Sequence, residues 1–108
     1  MLINQKRVLV LKSKRNITPR SIELTYESND LIPYIPGQFF SVEFPVGADV
    51  RARSYSVVNL SRDIRSNKEF VFVITLVESG VASEYFSAAE PGSVVSISGP
   101  FGNLILPK

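Results

Sequence analysis

The sequence predicts an all-β protein in which six short strands form a closed or nearly closed antiparallel barrel that carries one short helix. Three observations support this prediction. Apolar residues recur at every second position, turn signals separate the alternating segments, and a single segment has helical spacing instead. With 108 residues, of which 44% are hydrophobic, the chain is long enough for one packed domain, and residues 1–108 are predicted to form it.

Strand alternation is clearest where Ile22, Leu24 and Tyr26 are separated by polar residues. The segment 70–77 is apolar at both sets of alternating positions, which predicts a strand that is buried on both faces. The predicted strands cover residues 7–14, 21–27, 40–44, 54–59, 70–77 and 93–98. The turn signals between them are Ser28-Asn29-Asp30, Pro36-Gly37, Ser66-Asn67-Lys68 and Pro91-Gly92.

The exception to strand alternation lies in residues 79–89, and it predicts a helix between Gly80 and Ala89. Its apolar residues Val81, Ala82, Tyr85, Phe86 and Ala89 are spaced near the helical period, and Pro91-Gly92 stops the segment. The start of such a helix presents unpaired backbone N–H groups and the positive end of the helix dipole. These two features can hold a phosphate.

The composition excludes several kinds of chemistry. The chain has no Cys and no His, which excludes disulfides and thiolate metal sites and removes the commonest metal ligand and general base. No metal site is therefore predicted, and chemistry carried by a bound cofactor is favoured. The chain also lacks a long apolar run or signal peptide, so we expect a cytoplasmic protein without a membrane span.

The basic residues are unevenly distributed, although the net charge is only +2. Such an asymmetry fits an acidic partner, or it reflects solvent-facing positions of edge strands, where Lys and Arg discourage unwanted pairing. No aromatic residues are interleaved with the charges, so nucleic acid is not expected as a partner. The residues that precede the first acid, Glu23, are Lys6, Arg7, Lys12, Lys14, Arg15 and Arg20.

One motif with possible ligand chemistry is Arg53-Ser54-Tyr55-Ser56, at the start of a predicted strand. Alternation places Arg53 and Tyr55 on one face, about 7 Å apart along the strand. A guanidinium next to an aromatic plane suits a ligand that combines a phosphate with a flat ring. An exposed Arg beside a half-buried Tyr is also ordinary on a strand, so this motif alone leaves both interpretations open.

Three further motifs accompany it along the chain. Gly80-Val81-Ala82-Ser83 offers a glycine for close backbone approach, helix-start amides and a hydroxyl, although a plain capped helix would look the same. Pro36-Gly37-Gln38-Phe39 and Gly99-Pro100-Phe101-Gly102-Asn103 each read as a turn.

The four motifs in this order resemble the flavin domain of the ferredoxin–NADP reductase superfamily, and the resemblance extends from about Lys6 to Leu106. It implies a Greek-key barrel of six strands with one short helix. It also implies FAD as the cofactor, with FMN as the alternative.

The resemblance assigns a role to each motif residue. Arg53 would bind a flavin phosphate, Tyr55 would pack on the flavin ring or ribityl chain, and Ser54 would belong to the same cofactor-binding segment. Ser56 would be catalytic, with a hydrogen bond near flavin N5; because alternation puts it on the face opposite Tyr55, this role rests on the resemblance alone. The residues that would hold the pyrophosphate are Gly80, Val81, Ala82 and Ser83.

The function implied by the resemblance is electron transfer from NAD(P)H through FAD to a one-electron carrier. The partners would be an NAD(P)-binding domain, in the same or another chain, and a ferredoxin, flavodoxin or other carrier. This sequence has no G-x-G-x-x-G motif and no cysteines for an iron–sulfur cluster, so we expect the isolated chain not to oxidise NADH or NADPH at an enzyme's rate, even with FAD supplied. Two alternatives are a flavin-free barrel that binds a protein or nucleic acid, and a subunit that feeds electrons to a separate dehydrogenase.

Overall fold

A computed structural model of the chain describes residues 6–29, 32, 34, 38–58 and 68–102. Within these residues the chain forms six strands and one helix, so the all-β prediction with a single helix is confirmed. The elements are β1 (Arg7–Thr18), β2 (Ser21–Ser28), β3 (Phe39–Val46), β4 (Asp49–Ser56), β5 (Glu69–Thr75), α1 (Val81–Ala88) and β6 (Val94–Phe101).

The strands form one antiparallel sheet in the order β4-β3-β6-β1-β2-β5. The links from β2 to β3 and from β5 to β6 join strands that are not neighbours, as expected of a Greek key. The ladder is not closed, because β4 and β5 remain its two edges in the described residues. These edges nevertheless approach each other: the Val58 N–H donates to the Val71 carbonyl at 2.8 Å, just beyond the end of β4.

The hairpin of β3 and β4 explains the largest difference from the predicted strand bounds. β4 begins at Asp49, five residues before the predicted start, because the two-residue turn Gly47-Ala48 pairs Val46 with Asp49. Gly47 has φ 61°, a conformation that glycine adopts without steric cost, and glycine is favoured at this position of such turns. The predicted end of this strand, Asn59, lies outside the described residues.

Other boundaries differ less. β1 continues to Thr18, and the outward-facing residues of β5, Val71 and Val73, are half-buried rather than fully buried. The turn at Pro91-Gly92 is present, and it is tied to β1 because the Gly92 N–H donates to the Leu11 carbonyl at 2.8 Å. The turns predicted at Pro36-Gly37, Asp30 and residues 66–67 lie outside the described residues.

The core is rich in aromatic rings that point inward from the sheet. Phe40 and Phe70 are fully buried and meet edge to face with centroids 5.6 Å apart. At the helix, Phe86 is fully buried and contacts Phe44 of β3 at 5.2 Å between centroids. Because α1 has only two turns, this packing rather than helix propensity stabilises it.

Most of the early basic residues are solvent-facing, as the edge-strand interpretation predicts. Lys12 pairs with Glu69, and Arg15 with Glu23 at 2.7 Å, in exposed ion pairs that contribute little to stability because solvent screens them. β1 is not an edge strand throughout, because residues 7–10 pair with β6, and Leu9 and Val10 pair with β2 as well. Beyond Val10 the described ladder pairs β1 only with β2.

Lys14 is different from these residues. The pairing of β1 with β2 shifts register between Leu11 and Ser13, and this irregularity changes which side chains point inward. Lys14 is consequently paired with Leu24, whose side chain is buried in the core. The Lys14 ammonium donates to backbone carbonyls at the end of α1: Ser87 at 2.7 Å, Ala89 at 2.6 Å and Phe86 at 3.4 Å.

Candidate functional site

A cavity of about 230 Å³ lies between β4, the end of β5 and the start of α1. It brings two of the sequence motifs together, because Arg53 and Tyr55 line one side and the helix start lines the other. Arg53 is the one charged residue in its described lining. The lining residues are Arg53, Tyr55, Ile74, Thr75, Val77, Gly80, Val81, Ala82 and Ser83.

The register of β4 explains why Arg53 and Tyr55 face this cavity. Tyr55 lies opposite Phe40, and Arg53 lies opposite Val42, in the antiparallel pairing of β4 with β3. Residues that are opposite each other in such a ladder project to the same face, and both β3 residues are buried in the core. Arg53 and Tyr55 therefore project to the inner face of the sheet, at the edge where β4 approaches β5.

Tyr55 and Arg53 together give the cavity an aromatic wall and a positive charge. The Tyr55 ring packs against Phe72 at 6.3 Å and, edge to face, against Phe86 at 5.8 Å. Burial raises the pKa of the Tyr55 hydroxyl, and the nearby Arg53 guanidinium partly offsets this effect. The hydroxyl is thus a protonated donor at neutral pH.

The Arg53 guanidinium is available to an anion. Its Nη1 donates to the carbonyl of Ala52 at 2.8 Å, which holds the side chain along β4. In the part of the chain that the structure describes, no carboxylate lies within ion-pair distance of it. A guanidinium has five N–H donors, so most of them remain free for phosphate oxygens.

The start of α1 supplies backbone donors on the opposite side of the cavity. Gly80 is the N-cap and provides no side-chain cap, and Glu84 is the first residue whose N–H bonds back to the Gly80 carbonyl, at 3.0 Å. The N–H groups of Val81, Ala82 and Ser83 consequently have no acceptor inside the helix. Together with the positive end of the helix dipole, they form a site suited to an anion.

Backbone geometry keeps this helix start close to the end of β5. Ser79 has φ 64°, and the Gly80 N–H donates to the Val77 carbonyl at 3.0 Å. A Cβ on Gly80 would lie 3.2 Å from the Val77 carbonyl oxygen, which is tighter than normal contact. Glycine therefore permits the close approach between the helix start and the preceding strand.

Comparison with known proteins identifies the family. The family of oxidoreductase FAD-binding domains matches residues 9–105. The chain belongs to this family. The match favours a flavin domain over a flavin-free binding module, and it agrees with a cavity that offers donors for phosphate beside an aromatic ring.

Two relatives of this FAD-binding domain are an electron transfer component and a ferredoxin–NADP reductase. The chain is 30% identical over 99 residues to the electron transfer component of toluate 1,2-dioxygenase from Pseudomonas putida, covering 89% of this chain and 28% of that protein. It is 29% identical over 94 residues to ferredoxin–NADP reductase B from Sorangium cellulosum (strain So ce56), covering 85% of this chain and 37% of that protein. The chain thus spans about a third of the length of these relatives.

The fold is also that of solved reductases. The ferredoxin NADP⁺ reductase from Neisseria gonorrhoeae, whose structure contains bound FAD and NADP, aligns with a TM-score of 0.79 and 20% identity. The alignment covers 93% of this chain and 39% of that one. The predicted Greek-key fold with one helix is therefore shared by these reductases, although the ladder is open here.

Ser83 has a structural role in the FAD-binding domain that the sequence did not reveal. Its Oγ accepts a hydrogen bond from the Val77 N–H at 2.6 Å, and the residue is only 9% exposed. This bond connects the first turn of α1 to the chain that leaves β5. The hydroxyl proton remains able to donate, so the sequence-based role in phosphate binding stays a prediction.

Ser54 and Ser56 are not among the residues that line the cavity, and both are exposed. Their position agrees with the alternation argument, which places them on the face opposite Tyr55. Ser56 ends β4 and is paired with Phe39 of β3. Its predicted role near flavin N5 therefore belongs to a different part of the surface from the phosphate cavity.

The remaining two motifs meet at this same end of the sheet. Phe39 is paired with Phe101 of β6 as well as with Ser56, and the two phenyl rings lie 5.7 Å apart. The Gln38 side chain donates to the Gly102 carbonyl at 3.2 Å. Gly99 has φ 126°, and a Cβ there would lie 3.2 Å from the Phe40 ring. Pro36-Gly37 and Asn103 of these motifs lie outside the described residues.

Metal and membrane sites receive no support from the residues described. These residues contain no cluster of acids that could hold a metal ion, and the whole sequence lacks Cys and His. No helix in the described ranges is long and apolar enough to cross a membrane.

Proposed function

We propose that this FAD-binding domain carries the flavin of an NAD(P)H-dependent oxidoreductase that passes electrons to a one-electron carrier. The observation that carries the proposal is a cavity with donors on both sides of a half-buried Tyr55. One side has the Arg53 guanidinium, which no described carboxylate pairs with, and the other has the N–H groups that the helix leaves without an internal acceptor. Phosphate oxygens need such donors, and a flavin needs an aromatic surface close to them.

The volume of the cavity indicates which part of the cofactor it would hold. Pockets that enclose a whole ligand of this kind usually measure about 300–1,000 Å³, so about 230 Å³ fits only part of FAD. We assign the pyrophosphate and the adjoining ribityl chain to the cavity, with one phosphate on Arg53 and the other at the helix start. The flavin ring would lie beyond Tyr55, along the exposed end of β4.

The protein groups would bind and orient the cofactor, not perform acid–base chemistry. When bound, FAD would supply hydride uptake from a nicotinamide and single-electron release, which no side chain of this domain can supply. Arg53 and the helix-start amides fix the phosphates, and Tyr55 fixes the plane of the ring. Ser56, at the exposed end of β4, would donate a hydrogen bond to the edge of the ring near N5.

Hydride delivery requires a nicotinamide site, and we propose that an NAD(P)-binding domain in the same or another chain supplies it. The electron acceptor would be a ferredoxin, flavodoxin or another carrier. The two relatives described above, an electron transfer component and a ferredoxin–NADP reductase, support this assignment.

Titration of the 108-residue chain with FAD, followed by absorption and fluorescence, tests the proposal. We expect binding of FAD and, more weakly, of riboflavin, because riboflavin lacks the phosphates that the cavity would hold. Equal affinities for FAD and riboflavin would contradict the assigned phosphate site, and no binding of either would overturn the flavin proposal itself.

A second measurement addresses the nicotinamide. With FAD supplied, the chain alone should oxidise NADH or NADPH far more slowly than the roughly 10 per second of a typical enzyme. Turnover near that value would show that this chain contains its own nicotinamide site and would contradict the need for a second domain.

A further inference from the structure

We propose that Lys14 is a positioning residue for the phosphate site, acting from the opposite end of α1. The inference rests on the proposed function and deepens it. Lys14 donates to the carbonyls of Phe86, Ser87 and Ala89, which lie in the last turn of α1 and just beyond it. Its ammonium therefore attaches the C-terminal end of the helix to β1.

The helix needs such an attachment because it is short and weakly capped. It has eight residues, no side-chain N-cap and no basic residue of its own in its last turn. The last carbonyls of a helix have no partner inside it, and a cation there satisfies them and favours the negative end of the dipole. Two-turn helices are unstable without contacts of this kind.

The register shift in β1 places Lys14 where it can make these contacts. Plain alternation from Leu9 and Leu11, which are buried, would put Lys14 on the outer face beside Lys12. The irregularity between Leu11 and Ser13 instead pairs Lys14 with the buried Leu24. An irregularity that re-aims one side chain toward a helix end fits the use of such features near functional sites.

The effect would reach the cavity because only about one turn of α1 separates Ser83 from Phe86. The amides proposed to bind phosphate belong to Val81, Ala82 and Ser83, and the carbonyls held by Lys14 begin at Phe86. Loss of the attachment would let the last turn unwind and allow the remaining turn to tilt. The first-turn N–H groups would then no longer converge on one phosphate.

Three variants separate this role from a general contribution to the fold. Lys14→Met removes the ammonium but keeps an unbranched apolar chain, and Lys14→Arg retains the charge and donors. Lys12→Met is the matched control, because Lys12 carries the same charge and lies on the same strand, but its ammonium pairs with Glu69, away from α1. Each variant of the 108-residue chain is titrated with FAD and with riboflavin.

We expect Lys14→Met to weaken FAD binding about tenfold while riboflavin affinity stays unchanged, because only FAD places phosphates at the helix start. Lys14→Arg should recover part of the loss, and Lys12→Met should resemble the unmodified chain. An equal loss for FAD and riboflavin, or no loss for FAD, would overturn the inference. Failure of the unmodified chain to bind FAD would instead refute the proposed function.

Hydrogen exchange of the flavin-free chain gives a second readout that needs no cofactor. Lys14→Met should speed exchange of the backbone amides of α1, beginning at Glu84, relative to the amides of β2. Lys14→Arg should restore much of the protection, and Lys12→Met should leave it unchanged. Unchanged exchange in Lys14→Met would show that α1 is held without Lys14 and would overturn the inference even if flavin binding could not be measured.

Discussion

β2 and β4 are both eight-residue antiparallel strands, yet they use their inner faces for different purposes. The inner residues of β2, which are Ile22, Leu24, Tyr26 and Ser28, are all buried. The corresponding positions of β4 carry Arg51 and Arg53, which are exposed, and Tyr55, which is half-buried. One strand builds the core, whereas the other leaves its inner face open.

The position of each strand in the sheet explains the difference. β2 lies between β1 and β5, so neighbouring strands and the core cover its inner residues. β4 is an edge of the ladder, and its inner face borders the cavity at the start of α1. Charged residues at inner positions are unfavourable in a core, and this departure from the pattern supports the proposal that the inner face of β4 binds a ligand.

The largest effect should come from truncating the core strand. Leu24→Ala should lower the free energy of unfolding by about 2–5 kcal/mol. Leu24 is completely buried, and neighbouring side chains can fill only part of the void that its truncation would leave in the core. Urea denaturation measures the change. A loss below about 0.5 kcal/mol, the usual size for surface sites, would contradict the distinction between the two strands.

Arg53→Ala tests the other strand, and here binding rather than folding should respond. Removal of a charge-assisted contact with phosphate should cost about 1.5–3 kcal/mol of binding free energy, which weakens FAD about tenfold to a hundredfold. Arg53 is exposed, so the free energy of unfolding should change by less than about 0.5 kcal/mol. Arg53→Lys should restore only part of the affinity, since an ammonium keeps the charge but not the planar fork.

Arg51→Ala is the control for this prediction. Arg51 is exposed on the same inner face, opposite Phe44, but it is not among the residues that line the cavity. We expect its loss to leave FAD affinity nearly unchanged. Equal losses for both variants would reduce the role of Arg53 to general attraction of a negative ligand, and no loss for either would remove the support for the flavin site.

The same contrast shows how much of the fold the sequence could predict. Strands with buried inner faces, such as β2, were recognisable because apolar residues mark every second position. The first half of β4 was missed because Arg51 and Arg53 occupy positions where a core strand would carry apolar residues. The turn signal at Gly47 could have located its start, because a glycine in a two-residue turn is typical of hairpins.

The candidate site was predictable in part, and what was missed depends on three-dimensional contacts. Local motifs indicated Arg53, Tyr55 and the helix start, which the structure brings together around one cavity. Local motifs could not predict the hydrogen bond from the Val77 N–H to the Ser83 hydroxyl, or the inward orientation of the Lys14 side chain. Alternation assumes a regular register, and the irregularity in β1 breaks that assumption.

Ser83→Ala tests the connection between β5 and the helix start. The Val77 N–H would lose its acceptor in a partly buried position, so we expect the free energy of unfolding to fall by about 1–2 kcal/mol. FAD affinity should also fall, because the helix start would no longer be fixed against the cavity. Ser87→Ala, on an exposed position of the same helix, should leave both quantities unchanged.

The smallest effect at neutral pH concerns Tyr26, whose aromatic ring lies on the inner face of β2 and carries a hydroxyl. Its hydroxyl is buried and has no hydrogen-bond partner among the described residues, so Tyr26→Phe should change the free energy of unfolding by less than about 1 kcal/mol near pH 7. Burial, together with the nearby Tyr85 and Tyr55, raises the pKa of Tyr26 above the ordinary value of 10.0. Above that pH the unfolded chain loses this proton while the folded protein keeps it, so the unfolded state binds fewer protons and stability falls as pH rises.

The stability of the Tyr26→Phe variant should also fall at high pH, but less steeply, because Tyr55 and Tyr85 have raised pKa values as well. Urea denaturation from about pH 8 to about pH 11 should therefore show a steeper loss of stability for the unmodified chain than for Tyr26→Phe. Identical slopes would mean that the Tyr26 hydroxyl reaches solvent in the folded protein, and the inner face of β2 would then be less completely closed than its contrast with β4 requires.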